Sequence, residues 1–505
     1  MSSEYRKIQW QNVGQTEFDV AVIGGGISGA AIFHYLSAEG YRVLLIDKGD
    51  FAGGTSQASS MMIWGSLPDL RRLSFVKVGR FCSSRERLMR EKQELIFPQT
   101  FRFLPTAGSG RKPLSAFAAL YLYWLLGAGR RSFPRFRKDF TELSFLNCKN
   151  FPFSFEYEEA FVAPSDARFV LEWLLPQFHS SGQTAFNYCS LLSGYYDRAI
   201  KHWHLELADS ILGIEKTVKA KWIVNATGTW ADTINRQFGI ETPYKHIFGK
   251  GVFIGIKRDP QHQLPLMIET KESEGCMALI PWGPISLWGP TETRVNNLEE
   301  GFSVKPEEIR FLLKELNHHL SKPISIGEIV SLRCGVRPLV VNQSFPDSRD
   351  TLSVPREFRV FPDKFLPWLS IYGGKLTSCV SLAESVKTFL RRRLIPCAVP
   401  KIFPVSESPF LDLTEFPNLN EKVPSAQWCA EKEMCWNLED YLRRRTNISQ
   451  WVARGGLGFQ NENLRNLKDL ALIFAGNDKF KAQLAVRNYQ QKIESEFDKI
   501  LETAA

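Results

Sequence analysis

Phe18-Asp-Val-Ala-Val-Ile-Gly-Gly-Gly-Ile-Ser-Gly-Ala-Ala-Ile32, continued by Leu44-Leu-Ile-Asp47, decides how this chain of 505 residues begins to fold. Val20, Val22 and Ile23 belong to an apolar run of the kind buried in a parallel sheet. Gly24, Gly26 and Gly29 follow as G-x-G-x-x-G, where that strand must turn into a helix. The first glycine permits the tight turn, the second leaves bare backbone for a pyrophosphate, and the third lets helix and strand pack closely. Phosphates held there, beside Ile27 and Ser28, face the positive end of the helix dipole. Asp47 ends the second strand about twenty residues on, where an acid accepts hydrogen bonds from an adenosine ribose. A dinucleotide-binding α/β domain is the expectation.

Directly after Asp47 comes Lys48-Gly-Asp-Phe-Ala-Gly-Gly-Thr55-Ser56-Gln-Ala-Ser59-Ser60, richer in glycine and hydroxyl groups than a packed core requires. Small hydroxyl side chains and free amides suit a diphosphate or the ribityl chain of a flavin. Three later segments return to the same α/β pattern. Ala185-Phe-Asn-Tyr-Cys-Ser-Leu191 reads as a short strand, and Lys221-Trp-Ile-Val-Asn-Ala226-Thr227-Gly228 as a buried strand ending in a small-residue turn. Trp368-Leu-Ser-Ile-Tyr-Gly373-Gly374-Lys375-Leu376-Thr377 gives strand, glycine turn and the start of a helix to about Arg392. Such a turn points amides at an anion or at the electron-rich edge of a flavin.

Bulk composition narrows the class. At 44% apolar and 23% charged residues the chain is a folded globular protein, long enough for two or three domains. The net charge of +9 suits acidic substrates or an anionic membrane surface, but equally reflects dispersed lysines. Nothing in its distribution points to nucleic acid. Nine cysteines without a C-x-x-C pair argue against a disulfide or zinc framework and for a reducing compartment. His202 and His204 share a strand face without a third ligand nearby, so no metal site is expected. Residues 1–17 lack the apolar core of a secretory signal, and no apolar stretch reaches the roughly twenty residues that span a bilayer. The chain is expected in the cytoplasm, free or peripheral on the cytoplasmic face of the membrane.

Between these segments the pattern changes. Leu67 to Phe97 reads as Arg-rich solvated helix. Leu114 to Leu126 is the most hydrophobic window, with Arg111 and Lys112 before it and Arg130, Arg131, Arg135, Arg137 and Lys138 after it. A helix of this kind lies in a lipid interface or is buried against the protein, and the sequence supports both readings. Tyr244 to Val341 gives short β runs, Lys250–Ile256, Met277–Pro281 and Ile285–Gly289, and one helix from Pro306 to Leu320. The region beyond Pro424 is helical and charged.

Taken in order, these landmarks resemble the FAD-dependent glycerol-3-phosphate dehydrogenases and oxidases. The similar segments are Asp19 to Ala30, Thr55 to Ser60, Val224 to Gly228, Gly335-Val-Arg-Pro-Leu339 and Ile371 to Thr377, and Leu438-Glu-Asp-Tyr-Leu-Arg-Arg-Arg-Thr446 resembles the family's C-terminal domain. The resemblance implies a Rossmann-like FAD-binding domain with an inserted antiparallel β substrate domain and a C-terminal α-helical domain. The implied boundaries are 17–90, 155–243 and 350–395 for the first, 91–154 and 244–349 for the second, and 403–505 for the third. FAD is the implied cofactor. Asp47, where flavoproteins more often carry glutamate, leaves a nicotinamide as the alternative, against which the Ala226–Gly228 and Gly373–Lys375 segments count. The implied chemistry is hydride transfer from a secondary carbinol carbon, with electrons passed to a quinone or another acceptor. Arg337, Lys375 and Arg356 match the family's cationic positions, suited to an anionic small-molecule substrate and to charge developing on oxygen.

The chain also departs from the family pattern. Where the family continues Lys-Leu-Ile-His-Gly-Gly-Leu-Arg-Tyr, this chain has Met61-Met-Ile-Trp64-Gly-Ser-Leu-Pro68-Asp69. An imidazole and an arginine are thereby replaced by an indole that only donates and a side chain without charge. The family's Gly-x-Thr-Asp-Thr becomes Gly289-Pro-Thr-Glu-Thr293, and Ser378-Cys379 replaces Tyr-Arg. Three functions remain in view: oxidation of sn-glycerol 3-phosphate, oxidation of a different hydroxy or amino compound, and flavin binding without turnover. Oligomeric state is not legible.

Overall fold

The computed structural model describes residues 3–107, 112–178, 183–270, 275–346, 354–397 and 412–505, the Arg71 side chain excepted. Arg111, residues 350–353 of the third expected FAD-domain segment, and residues 403–411 at the start of the expected C-terminal domain lie outside them.

Strand Glu17–Ile23 is central in an eight-stranded sheet, flanked by Val43–Ile46 on one side and Ile214–Asn225 on the other. Val22 stands opposite Leu45 and Val224, and Val224 in turn opposite Leu369 of Trp368–Gly373, all in parallel register. Parallel pairing puts the carboxyl ends of strands widely separated in sequence side by side, which is where open α/β sheets bind ligands. The strand is buried on both faces. Val20 and Val22 pack with Ala30 and Phe33 of helix Ile27–Ala38, while Ala21 and Ile23 pack with Trp10, Trp203 and Trp368. Trp10 comes from an N-terminal helix, Ser3–Val13, that its polar composition had concealed. Arg6 anchors the same helix by donating to Asp209 at 2.7 Å and to the Asn187 carbonyl at 2.5 Å.

The second sheet has ten strands, built around the long pair Tyr244–Lys257 and Ile329–Asn342. The expected β runs and the helix, Pro306–His319, are present. Pairing is antiparallel apart from Leu266–Glu269, which runs parallel to Ile96–Leu104. Helix Phe75–Glu91 lies within the stretch read as helical, but that stretch ends in a strand beginning at Ile96. Met62–Ile63 and Ser154–Val162 also pair in this second sheet, although residues 62–63 and 155–162 fall within segments expected in the FAD-binding domain. The C-terminal region has its own core of Phe416, Tyr441, Leu442, Ile448, Leu467 and Val486.

Helix Pro113–Leu126 buries Ala116, Leu120 and Tyr123 and exposes Leu114, Tyr121, Leu122 and Leu125. One face thus packs against the protein and the other is exposed. Among the described residues no helix is long and apolar enough to cross a membrane.

Candidate active site

The glycine turn is tight for steric reasons. Gly24 has φ of +104°, and a Cβ there would stand 2.6 Å from the Ala226 carbonyl oxygen. At Gly29 a Cβ would stand 1.8 Å from the Gly24 oxygen, closer than any packing allows. Gly26 is different: a Cβ there would meet only the Ser56 hydroxyl, at 3.1 Å, so its bare face opens on a cavity. At the helix start, the Ile27 amide donates to the same Ser56 hydroxyl at 3.0 Å. The Asp47 carboxylate accepts from the Gly25 amide at 2.6 Å and the Gly49 amide at 2.8 Å, which locks the turn to the strand end. Burial pushes its pKa up to about 6 despite those two bonds.

That cavity, about 1970 Å³, runs without interruption from Gly24, Gly26 and Ser28 past Asp47, Lys48, Ser60, Leu191, Ala226, Thr227 and Gly228 to Gly373, Gly374, Lys375, Leu376 and Thr377. Arg337 and Arg356 line it as well. Every candidate residue except Gly29, which works behind the turn, therefore borders one space. The hydroxyl-rich loop divides its labour. Thr55 donates to the Val336 carbonyl at 2.6 Å, and Ser59 gives both amide and hydroxyl to Asp166 at 2.8 Å. Those two side chains tie the loop to the second sheet and to helix Asp166–Leu174. Lys48 places its ammonium 4.1 Å from the centre of the Trp230 ring.

Underneath this loop lies a buried ion cluster that sequence reading missed. Asp50 accepts from Arg444 at 2.6 Å, from Arg445 at 2.8 and 2.9 Å, and from Asn187 at 2.7 Å. Burial alone would raise the Asp50 carboxyl; the two guanidinium groups outweigh it and hold it well below the usual carboxylate range. Arg443 donates to the Gln57 carbonyl. The only sequence signal was three consecutive arginines, Arg443 to Arg445, in a segment noted for its resemblance alone.

Lys375 dominates the far end. The Gly-Gly turn before it has φ of +63° and +100°, and a Cβ on Gly373 would stand 2.3 Å from the Glu357 oxygen. The Gly373 amide donates to His246 Nε2 at 2.9 Å, an imidazole behind the turn that no motif had marked. Lys375 Nζ donates to Ser66 Oγ at 2.5 Å and lies 3.5 Å from the Phe81 ring centre. Burial lowers its pKa to about 7; Asp69 opposes the shift, while Arg356 and Lys77 add to it. Arg337 and Arg356 converge on one oxygen of Glu292, at 2.5 and 3.2 Å. Burial lowers Arg337 to about 10 against the attraction of Glu292, which leaves it charged at neutral pH.

Trp64 lines the cavity here, whereas Pro68 is exposed at its edge. The turn between them is held from below. The Gly65 amide donates to the Tyr123 hydroxyl at 2.8 Å, Tyr123 donates to Glu159, and Arg85 pairs with Glu159 at 2.5 Å. Tyr123 comes from the apolar helix, so its hydroxyl links that helix directly to the turn.

A family model described as FAD dependent oxidoreductase matches residues 19–363. The aerobic glycerol-3-phosphate dehydrogenase of Escherichia coli strain K12 is 30% identical over 373 residues, 72% of each chain. The glycerol-3-phosphate dehydrogenase of Pseudomonas aeruginosa is 29% identical over 377 residues, 74% of this chain and 72% of that one. Among solved structures, the glycerol-3-phosphate dehydrogenase of Bacillus halodurans complexed with FAD superposes with a TM-score of 0.72, at 18% identity, covering 98% of this chain and 97% of that one. The cavity fits FAD: it is long, continuous, open at the bare Gly26 backbone and bordered by the two glycine turns.

Proposed function

Because the chain belongs to the FAD-dependent oxidoreductases, on their glycerol-3-phosphate dehydrogenase branch, we propose that it oxidises sn-glycerol 3-phosphate to dihydroxyacetone phosphate. Bound in this cavity, FAD would supply the acceptor for the hydride of the secondary carbinol carbon. Gly24, Gly26, Ile27 and Ser28 would border its pyrophosphate, with Gly29 packing behind the turn, Asp47 and Lys48 would hold its adenosine ribose, and Ser60, Leu191, Ala226 to Gly228 and Gly373 to Thr377 the rest. Thr55, Ser56 and Ser59 shape the loop around it. The observation that carries this reading is the single cavity in which Lys375 and the Arg337–Arg356 pair share one space with the glycine turn.

Within that cavity each residue has a task. Lys375, lowered to about 7, is in part a neutral amine at physiological pH and takes the hydroxyl proton as the C–H bond breaks. The ammonium so formed faces the new carbonyl oxygen and keeps its bond to Ser66. Arg337 and Arg356 bind the phosphate end, since a guanidinium fork matches phosphate oxygens bidentately. Phe81 and Trp64 wall the lysine from water. Anaerobic addition of millimolar sn-glycerol 3-phosphate bleaches the flavin absorption on this reading; a spectrum unchanged by it overturns the assignment. Oxidation of a different hydroxy or amino compound is the second reading. It is favoured by the uncharged Pro68 and the apolar Trp64 at the cavity, and a substrate screen read by the same bleaching decides it.

Electrons then pass to a quinone at a membrane surface. Leu120 and Leu122 of helix Pro113–Leu126, with Leu73 and Phe75, line the mouth of the cavity. Leu73, Phe75, Val76, Leu114, Leu122 and Leu125 are exposed apolar side chains, flanked by exposed Lys112, Arg130, Arg135 and Arg137. Apolar burial with basic flanks is the composition that holds a helix in the headgroup layer of anionic lipids. On this reading the protein is peripheral on the cytoplasmic face of the membrane.

A further inference from the structure

Nearly all the charge at the substrate end of the cavity is already paired. Glu308 accepts from Lys250 at 2.5 Å and Asp69 lies 3.3 Å from Lys77. Glu292 gives one and the same carboxylate oxygen to both Arg337 and Arg356. Its position is built. The connection carrying it is pinned by Thr291, whose amide donates to the Val252 carbonyl at 3.0 Å and whose hydroxyl accepts from the Val252 amide at 3.0 Å. Across from it, Gly249 lies opposite Arg337 in the antiparallel pair, and a Cβ on Gly249 would stand 2.7 Å from Glu292 Oε1. The missing side chain is what makes room for the carboxylate.

We propose that Glu292 is a specificity-determining residue: an internal carboxylate that occupies the Arg337–Arg356 pair and competes with the anionic group of the substrate for it. This rests on the reading of that arginine pair as the substrate's anion site. Glu292 offsets one of the two positive charges and engages Nη2 of each arginine. A phosphate dianion therefore meets a net charge of one rather than two, next to a like charge in a partly desolvated space. Substrates carrying less charge, or none, lose less by its presence. The extra methylene of glutamate over the aspartate of the family's Gly-x-Thr-Asp-Thr segment gives the carboxylate its reach. Glu292 thus shifts the site away from strongly anionic substrates while both arginines are retained.

The test uses the FAD-loaded protein and inorganic phosphate as probe, titrated calorimetrically. Glu292→Gln keeps shape and one acceptor but removes the charge; phosphate binding tightens tenfold or more, and the gain disappears in the Glu292→Gln/Arg337→Met double variant. Glu292→Asp, which withdraws the carboxylate by one methylene, gives a smaller gain in the same direction. Equal or weaker phosphate binding by both single variants overturns the proposal. Should Glu292→Gln fail to retain FAD, Glu292→Asp decides alone, and unchanged binding by it is then the refuting result. With sn-glycerol 3-phosphate, KM falls in the single variants. If that compound bleaches the flavin in no variant, the substrate assignment fails, and the phosphate titration still judges Glu292 independently.

Discussion

Lys375 is the residue on which the proposed chemistry can be tested most sharply, because its two candidate roles make opposite demands on its charge. As a base it must be neutral before the reaction; as a fixed cation it must be protonated throughout. Burial brings its pKa down to about 7, from an ordinary value near 10.4. At that pKa the neutral fraction is about one tenth at pH 6 and about nine tenths at pH 8. The sign follows from the active form being the deprotonated one: flavin reduction accelerates about tenfold across this interval and levels off above it. A role as fixed cation predicts the reverse slope. Lys375→Met lowers the reduction rate by about 10² to 10⁴, the usual worth of a positioned acid or base. Lys375→Arg keeps the positive charge but offers no base, since guanidinium does not deprotonate in proteins, and it falls as far as the methionine variant. Anaerobic stopped-flow reduction between pH 5.5 and 9, on protein with full flavin content, reads all three. A Lys375→Arg rate within tenfold of the parent, or a profile flat from pH 6 to 8, refutes the assignment.

Three further outcomes follow from contacts elsewhere in the molecule. Asp50→Ala leaves Arg444 and Arg445 buried with their shared carboxylate gone, a loss of about 3 to 5 kcal/mol. Thermal unfolding shifts down accordingly and FAD is released more readily, while an unshifted melting temperature contradicts the buried cluster. Tyr123→Phe removes the partner of the Gly65 amide and a donor to Glu159, at about 1 to 3 kcal/mol. Its melting temperature drops and kcat falls with flavin content unchanged; wild-type values on both counts would detach the turn from the helix. Leu122→Asp/Leu125→Asp alters two exposed side chains of the apolar helix. Cosedimentation with anionic liposomes is lost while the far-ultraviolet spectrum is kept, and undiminished binding shows that this face does not touch lipid.

The parts of the fold legible in the sequence are those whose physical cause is local. Gly24 and Gly29 are required by main-chain oxygens within 3 Å of where a Cβ would be, and such a requirement leaves a spaced glycine pattern anyone can read. Parallel strands buried on both faces leave continuous apolar runs, which is why residues 20–23, 43–46 and 221–225 were visible. The missed features depend on meetings between distant residues. Asp50 and Arg445 are separated by 395 positions, and no periodicity links them. Tyr123 was hidden for another reason: in a helix apolar nearly all round, the buried stripe of Ala116, Leu120 and Tyr123 does not differ in composition from the exposed one. The N-terminal helix shows the converse, a polar stretch held by three buried side chains, Arg6, Trp10 and Val13, on successive turns. Trp64, Pro68 and Glu292 were visible as departures from a pattern, but their partners were not.

The two ends of the cavity are therefore built on different physical terms. At the glycine turn, backbone packs on backbone: the Gly24 oxygen under Gly29, the Ala226 oxygen beside Gly24, the amides of Gly25 and Gly49 on Asp47. A side chain added at Gly24 or Gly29 has nowhere to go, so those two positions admit almost no variation without displacing main chain. At the other end, side chains from separate segments meet one another. Ser66 meets Lys375, Tyr123 supports Gly65, and Glu292 spans Arg337 and Arg356. These contacts are made by side chains and not by close-packed main chain. A chain can thus keep the cofactor geometry of its family and still change charge and shape where the substrate lies. Trp64, Pro68 and Glu292 are changes of that second kind, and the arginine pair they leave in place is the reason the substrate question turns on a single carboxylate.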